Sequence, residues 1–178
     1  MDDRVKRLAS VLGIAEVTLG RHLQPLAAPE QGSLDGWNAS ADLQQIHSIS
    51  DGFRLFGPNE WNGFAFLNAA DYRLLRRDYI FEASLDLGIV PIFGEGPHLS
   101  SVRVSDGVVV STDWECEGDV EGGAWLKPIA PSIPKYVATV IEVREAYGLD
   151  DSQDATPSDW WHPYASHGDR YDLESKRN

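Results

Sequence analysis

The amino-acid sequence predicts an α+β fold with a single, mostly antiparallel sheet flanked by helices. Three observations carry that prediction. Apolar residues at helical spacing mark both ends of the region 1–148, short alternating apolar runs bounded by Gly and Pro fill its middle, and an Asp-Gly pair joins two of those runs. With 178 residues, 42% of them hydrophobic, the chain suffices for one core that buries roughly 70% of its unfolded surface without disulfides or metals.

Residues 2–12 carry Val5, Leu8, Ala9 and Leu12 on one helical face, with acids in the first turn and Gly13 just past the end. From Ile14 to Trp37, Gly20, Pro25, Pro29, Gly32 and Gly36 interrupt any long period, so this stretch reads as loop with at most one short turn of helix. Ser40 is the expected cap of a second helix that buries Leu43, Ile46 and Ile49. The runs Gly52–Gly57 and Gly63–Leu67, separated by the Pro58-Asn59 turn signal, read as strands. Asn68 with Asp71 three residues later forms a capping box, and Leu67 is placed to staple onto Tyr72, so a third helix starts there.

Three further strands follow Gly88: Ile89–Phe93, Leu99–Val104 and Val108–Thr112. The last two are joined across Ser105-Asp106-Gly107, for which a type I′ turn with positive φ at both central residues is the expectation. Pro91 lacks an amide donor, which predicts an edge strand or a short ladder. Ser132 caps the last helix, with Ile133, Tyr136, Val137, Val140 and Tyr147 on one face and Gly148 as the stop. The expected domain is therefore 1–148. An acidic tail, 149–178, carries Trp160, Trp161 and Tyr164, aromatic surface with which it is expected to dock on that domain.

Fifteen basic residues against twenty-eight acidic ones leave a formal charge of -13, which repels nucleic acid phosphates and anionic lipid and suits a protein partner with a basic surface. Cys116 is the only cysteine, so no intramolecular disulfide forms and a reducing compartment is the natural setting. Asp2 and Asp3 spoil a basic leader, and no run approaches the roughly 18 to 20 apolar residues that cross a bilayer. A cytoplasmic location is the expectation.

Read together, Ser50-Asp51-Gly52-Phe53-Arg54-Leu55-Phe56-Gly57, the apolar Gly88–Gly94, the hairpin with Gly107 and the helix opening Ala130-Pro131-Ser132-Ile133 resemble the SUKH superfamily, and more narrowly its Smi/Knr branch of cell-wall assembly regulators. The likeness covers about residues 40 to 147. It implies an α+β domain that binds proteins, in bacteria often as an immunity protein against toxins, with no shared catalytic set. The chain departs from the family in placing Gly96-Pro97-His98 before the next strand and in running some thirty residues past the final helix.

The most unusual stretch runs from Asp113 through Trp114, Glu115, Cys116, Glu117, Gly118, Asp119 and Val120 to Glu121, with five carboxylates at alternate positions and no basic residue between Arg103 and Lys127. If extended, it sets all five acids on one face, where they can receive Arg and Lys from a partner or simply guard a solvated edge against aggregation. Trp61 is a further candidate anchor, since an indole near a loop can fill a partner's pocket, although core packing is the commoner fate of tryptophan. The acids also fit several positions of an EF-hand loop, yet Ala124 stands where a bidentate Glu is needed. His22, His47, His98, His162 and His167 are scattered without zinc spacing, and Cys116 between acids is a poor thiolate. Gly94-Glu95-Gly96-Pro97 reads as a turn rather than a phosphate cradle, and no Gly-x-Ser-x-Gly elbow occurs. Neither a metal, a cofactor nor a catalytic set is predicted.

The expected function is protein binding. The leading reading is an immunity or antitoxin-type protein that neutralises a toxin, with a nuclease and its basic cleft as the fitting target, and the alternative is a regulatory scaffold of the same fold without a toxin partner.

Overall fold

A computed structural model describes residues 2–56, 64–95, 98–113 and 126–147. Among them the elements run α1 Asp3–Leu12, α2 Glu16–His22, α3 Ala41–His47, β1 Phe53–Leu55, β2 Phe64–Phe66, α4 Ala69–Leu75, α5 Tyr79–Leu87, β3 Ile89–Glu95, β4 His98–Arg103, β5 Val109–Asp113, β6 Lys127–Ala130 and α6 Ile133–Tyr147. The strands form one antiparallel sheet in the order β1-β2-β3-β4-β5-β6, a simple meander in which every strand pairs with its sequence neighbour. The fold is α+β, as the pattern predicts. Among the described residues, no helix is long and apolar enough to cross a membrane.

The helices are short, and burial rather than propensity holds them. In α3, Ser40 accepts the Leu43 amide, while Leu43, Ile46 and the following Ile49 are buried. At about 2 kcal/mol per buried aliphatic side chain, three such residues outweigh the cost of nucleating seven residues of helix. On α1, Leu8, Ala9 and Leu12 are buried and Val5 only half so. The stretch 14–37 holds more helix than expected, because Leu19, fully buried, anchors the two turns of α2 in spite of Gly20.

Asn68 caps α4 as predicted: its Oδ1 accepts the Ala70 and Asp71 amides at 2.8 and 3.1 Å, and Asp71 accepts the Asn68 amide at 2.9 Å. Where one helix is expected there are two, since Asp78 breaks the run and caps α5 by accepting the Ile80 amide. The run Ser50-Asp51-Gly52 is a structural tie. Ser50 donates to the Gly52 and Ala27 carbonyls, and Asp51 accepts the Ala69 amide at 2.7 Å, so the approach to β1 is fastened to the start of α4.

Both sheet faces are covered. On one, Val90, Ile92, Phe93, Val102 and Val109 pack with residues of α1, α3 and α6; on the other, Ile80 of α5 joins Ile89, Leu99 and Val110.

Two expectations are corrected and one strand is added. Pro91 lies in β3, between β2 and β4 and not at an edge, while the other expected outcome holds on the β2 side, where the ladder is short, with Phe66 and Phe93 its one register pair. The register shifts between Pro91 and Phe93, and a bulge is where a central strand tolerates a missing donor. The β4–β5 hairpin forms, but only Gly107 has positive φ, so its turn is not type I′. The Gly107 amide donates to the Arg103 carbonyl, and Asp106 accepts from both the Arg103 guanidinium and the Val108 amide, which stabilises a longer loop. Finally, Lys127–Ala130 forms a strand on β5, at the edge of the sheet among the described residues, where Pro128 breaks the local strand pattern.

Candidate functional site

The meander gives the sheet two unlike ends. Because successive strands are antiparallel, the chain leaves β1, β3 and β5 at one end, after Leu55, Glu95 and Asp113, and re-enters there at Phe64, His98 and Lys127. The α4–α5 connection and the 104–108 turn belong to the opposite end. Six strand ends spaced about 4.8 Å apart make the first end about 24 Å wide.

Beneath that end lies a packed aromatic floor. The Phe64 and Phe93 ring centroids are 3.9 Å apart, Phe66 meets Phe93 edge-on at 4.8 Å, and Phe53 stacks on Phe66 at 4.8 Å. Tyr136 of α6 joins them and shares a 2.7 Å hydrogen bond with Ser100. Burial pushes the Tyr136 pKa well above the usual phenol range, so this hydroxyl stays neutral and serves as a fixed tie between α6 and the sheet.

One exit from the sheet is strained. Phe56 has φ 61, the one non-glycine residue in the left-handed region among those described, a conformation that costs of order 1–3 kcal/mol unless its surroundings enforce it. Here they do. Its amide donates to the His22 carbonyl at 2.8 Å, its ring meets His22 edge-on, and the Arg144 guanidinium sits 5.3 Å from the ring centroid. His22 in turn lies 2.9 Å from Glu145, and that hydrogen bond holds the Glu145 carboxyl below its ordinary pKa. The backbone at Phe56, just past β1, is therefore held by α2 and α6 together.

Asp113, the first residue of the predicted acidic stripe, is the last of β5 and stands opposite His98. Trp114, Glu115, Glu117, Asp119, Glu121 and Trp61 lie outside the described residues, as do Cys116, Trp125 and the tail with Trp160, Trp161 and Tyr164. Sequence order alone ties Trp61 to the β1–β2 link and residues 114–121 to the β5–β6 link, and both links start from the same end of the sheet.

The chain matches no family model, no curated protein and no solved structure.

A second feature was not visible in the sequence. A cleft of about 350 Å³ is lined by residues that include Glu30, Ser33, Asp35, Trp37, Gln44 and His47. Ser33 Oγ is 3.2 Å from His47 Nδ1, a hydroxyl beside an imidazole, which is the pairing nucleophilic catalysis uses. Two facts weigh against that use. Burial lowers the His47 pKa to about 4, which makes it a weak base, and its Nε2 has no hydrogen-bond partner among the described residues, so no third group orients the ring. His47 is 4% exposed and packs edge-on against Tyr72, which suits a core position. Positions 33 and 47 share no helical or strand period, which is why no sequence motif links them. Among the described side chains, no group of three or more His, Cys, Asp or Glu can hold a metal.

Proposed function

We propose that this chain is a protein-binding domain of the immunity type, which captures a basic partner, a toxin nuclease being the fitting class, at the sheet end where β1, β3 and β5 terminate. One observation carries the reading. The meander starts the links whose sequence contains Trp61 and the acids from Asp113 to Glu121 from the same end of the sheet, at strand ends that lie within about 24 Å of each other. That width suits a standard interface of roughly 800 Å² per partner.

The electrostatics support the same reading. A basic cleft that grips nucleic acid is attracted by a field of this sign, and steering can raise association to about 10⁸–10⁹ M⁻¹s⁻¹ at low salt. Arg on the partner is favoured, because its planar fork matches a carboxylate. The aromatic floor and the ties from Ser100 and Glu145 keep the strand ends fixed, which lowers the entropy lost on binding.

The test is affinity purification of the tagged chain from its own cells at about 0.1 M and about 0.5 M salt, which straddle the screening of exposed charges. One basic protein recovered at low salt, weakened at high salt and toxic when expressed alone supports the reading. Recovery of only housekeeping assemblies, equally at both salts, overturns it.

A further inference from the structure

The cleft beside α3 has buried and exposed lining residues, and the two groups differ in chemistry. Trp37 and His47 line it and are 6% and 4% exposed, and each carries a ring nitrogen, Trp37 Nε1 and His47 Nε2, that has no hydrogen-bond partner among the described residues. A buried polar atom without a partner costs about 1–3 kcal/mol, and folded chains rarely keep two in the lining of one cleft. The backbone builds the place deliberately. Gly32 and Gly36 adopt positive φ, and the Ser33, Asp35 and Trp37 amides donate to the Glu30, Gly32 and Leu34 carbonyls, so a run of turns brings Ser33 and Trp37 to the cleft that His47 of α3 lines. The exposed lining is acidic: it holds Glu30 and Asp35, and no Lys or Arg is among the lining residues. Arg73 pairs with Glu30 from outside the lining.

We propose that this cleft binds a small uncharged molecule of the nucleoside type, its heterocycle toward Trp37 and His47 and its sugar hydroxyls toward Glu30 and Asp35. The Trp37 N–H only donates, so it requires an acceptor, which a base carbonyl or ring nitrogen supplies. His47 can take either kind of partner. The Ser33 hydroxyl, 3.2 Å from Nδ1, can donate to that nitrogen or accept from it, and Nε2 becomes donor or acceptor accordingly. An edge that sets an acceptor beside a donor, as nucleobases do, meets both nitrogens. Carboxylates accept from ribose hydroxyls in dinucleotide sites, whereas a phosphate here would face two acids. Burial keeps His47 neutral at pH 7 by lowering its pKa to about 4, so the buried lining offers an anion no positive charge. The volume, about 350 Å³, lies at the small end of ligand sites. The site rests on residues 30–47 and not on the protein-binding reading, so either can fail without the other.

The full chain, labelled with ¹⁵N, is titrated with adenosine, cytidine and uridine, each to about 5 mM, where even millimolar affinity registers, and with the corresponding 5′-monophosphates. The indole and imidazole resonances are followed, the Trp37 signal being the one lost in Trp37→Phe. The expected result is that at least one nucleoside shifts the Trp37 and His47 ring signals saturably at one equivalent, and that its monophosphate binds at least about fivefold more weakly. Trp37→Phe and Asp35→Ala, each checked for folding by circular dichroism, weaken that nucleoside at least about fivefold; Asp35 is exposed, so its variant keeps the test decisive if Trp37→Phe does not fold. The proposal is overturned by no saturable shift with any of the three nucleosides, by saturation that leaves the Trp37 and His47 signals unmoved, by a monophosphate that binds as tightly as its nucleoside, or by native affinity in either folded variant.

Discussion

The Tyr72 hydroxyl donates to the Pro91 carbonyl at 2.7 Å, which ties α4 to the middle of the sheet at the point where the β3–β4 register shifts. Tyr72 is fully buried, and burial pushes its pKa far above the phenol range, so the donor is always protonated. Tyr72→Phe keeps the ring contacts with Trp37 and His47 and leaves the carbonyl without its donor. The expected cost is about 1–3 kcal/mol, read as a lower urea midpoint with an unchanged slope. A midpoint equal to the native one contradicts the tie.

Gly52 combines φ +68 with an added Cβ that would lie 2.5 Å from the Phe66 carbonyl oxygen, an obstacle in the backbone of the neighbouring strand. Gly52→Ala therefore meets left-handed strain and a steric clash together, and the β1–β2 pairing must shift to relieve it. We expect a loss of at least about 2 kcal/mol in chemical denaturation. Near-native stability would show that the approach to β1 is looser than the Ser50-Asp51-Gly52 ties imply.

Asn68→Ala removes the acceptor for the Ala70 and Asp71 amides and half of a reciprocal box. About 1–2 kcal/mol of stability should be lost, with Asn68→Asp close to native, because Asp is an equal cap. Equal losses in both variants would contradict the capping role.

His47 sets a pH dependence whose sign follows from its burial. Its folded pKa is lowered to about 4 from the ordinary imidazole value of 6.5, with desolvation the main cause and Asp51 opposing it. Between those values the unfolded chain binds a proton that the folded one refuses, so stability falls as the pH drops from about 6.5 toward 4 and levels off below. The loss from this group is at most about 3 kcal/mol. His47→Gln should flatten the stability profile between pH 7 and 5; an unchanged slope assigns the acid sensitivity elsewhere.

Much of the frame was legible in the sequence because local chemistry and burial agree there. Ser40, Asn68 and Ser132 cap the helices they were expected to cap, and Leu43, Ile46, Tyr136 and Val140 are buried on the predicted faces. What escaped depends on tertiary partners. The α2 helix exists because Leu19 finds a core, the β6 strand because β5 offers it a ladder, and Pro91 is central because a bulge absorbs its missing donor. The candidate site divides in the same way. A run of alternating acids is visible by eye, whereas the rows and ends that the register brings together are not.

The most direct test of the central claim measures the partner's dissociation constant for the native chain and for Asp113→Asn/Glu115→Gln/Glu117→Gln/Asp119→Asn/Glu121→Gln, each at about 0.1 M and about 0.5 M salt. If these acids receive a basic partner, native binding weakens at least tenfold at high salt, while the neutralised variant binds weakly at low salt and loses most of its salt dependence. Native affinity in the neutralised variant, with the same response to salt, would contradict the claim.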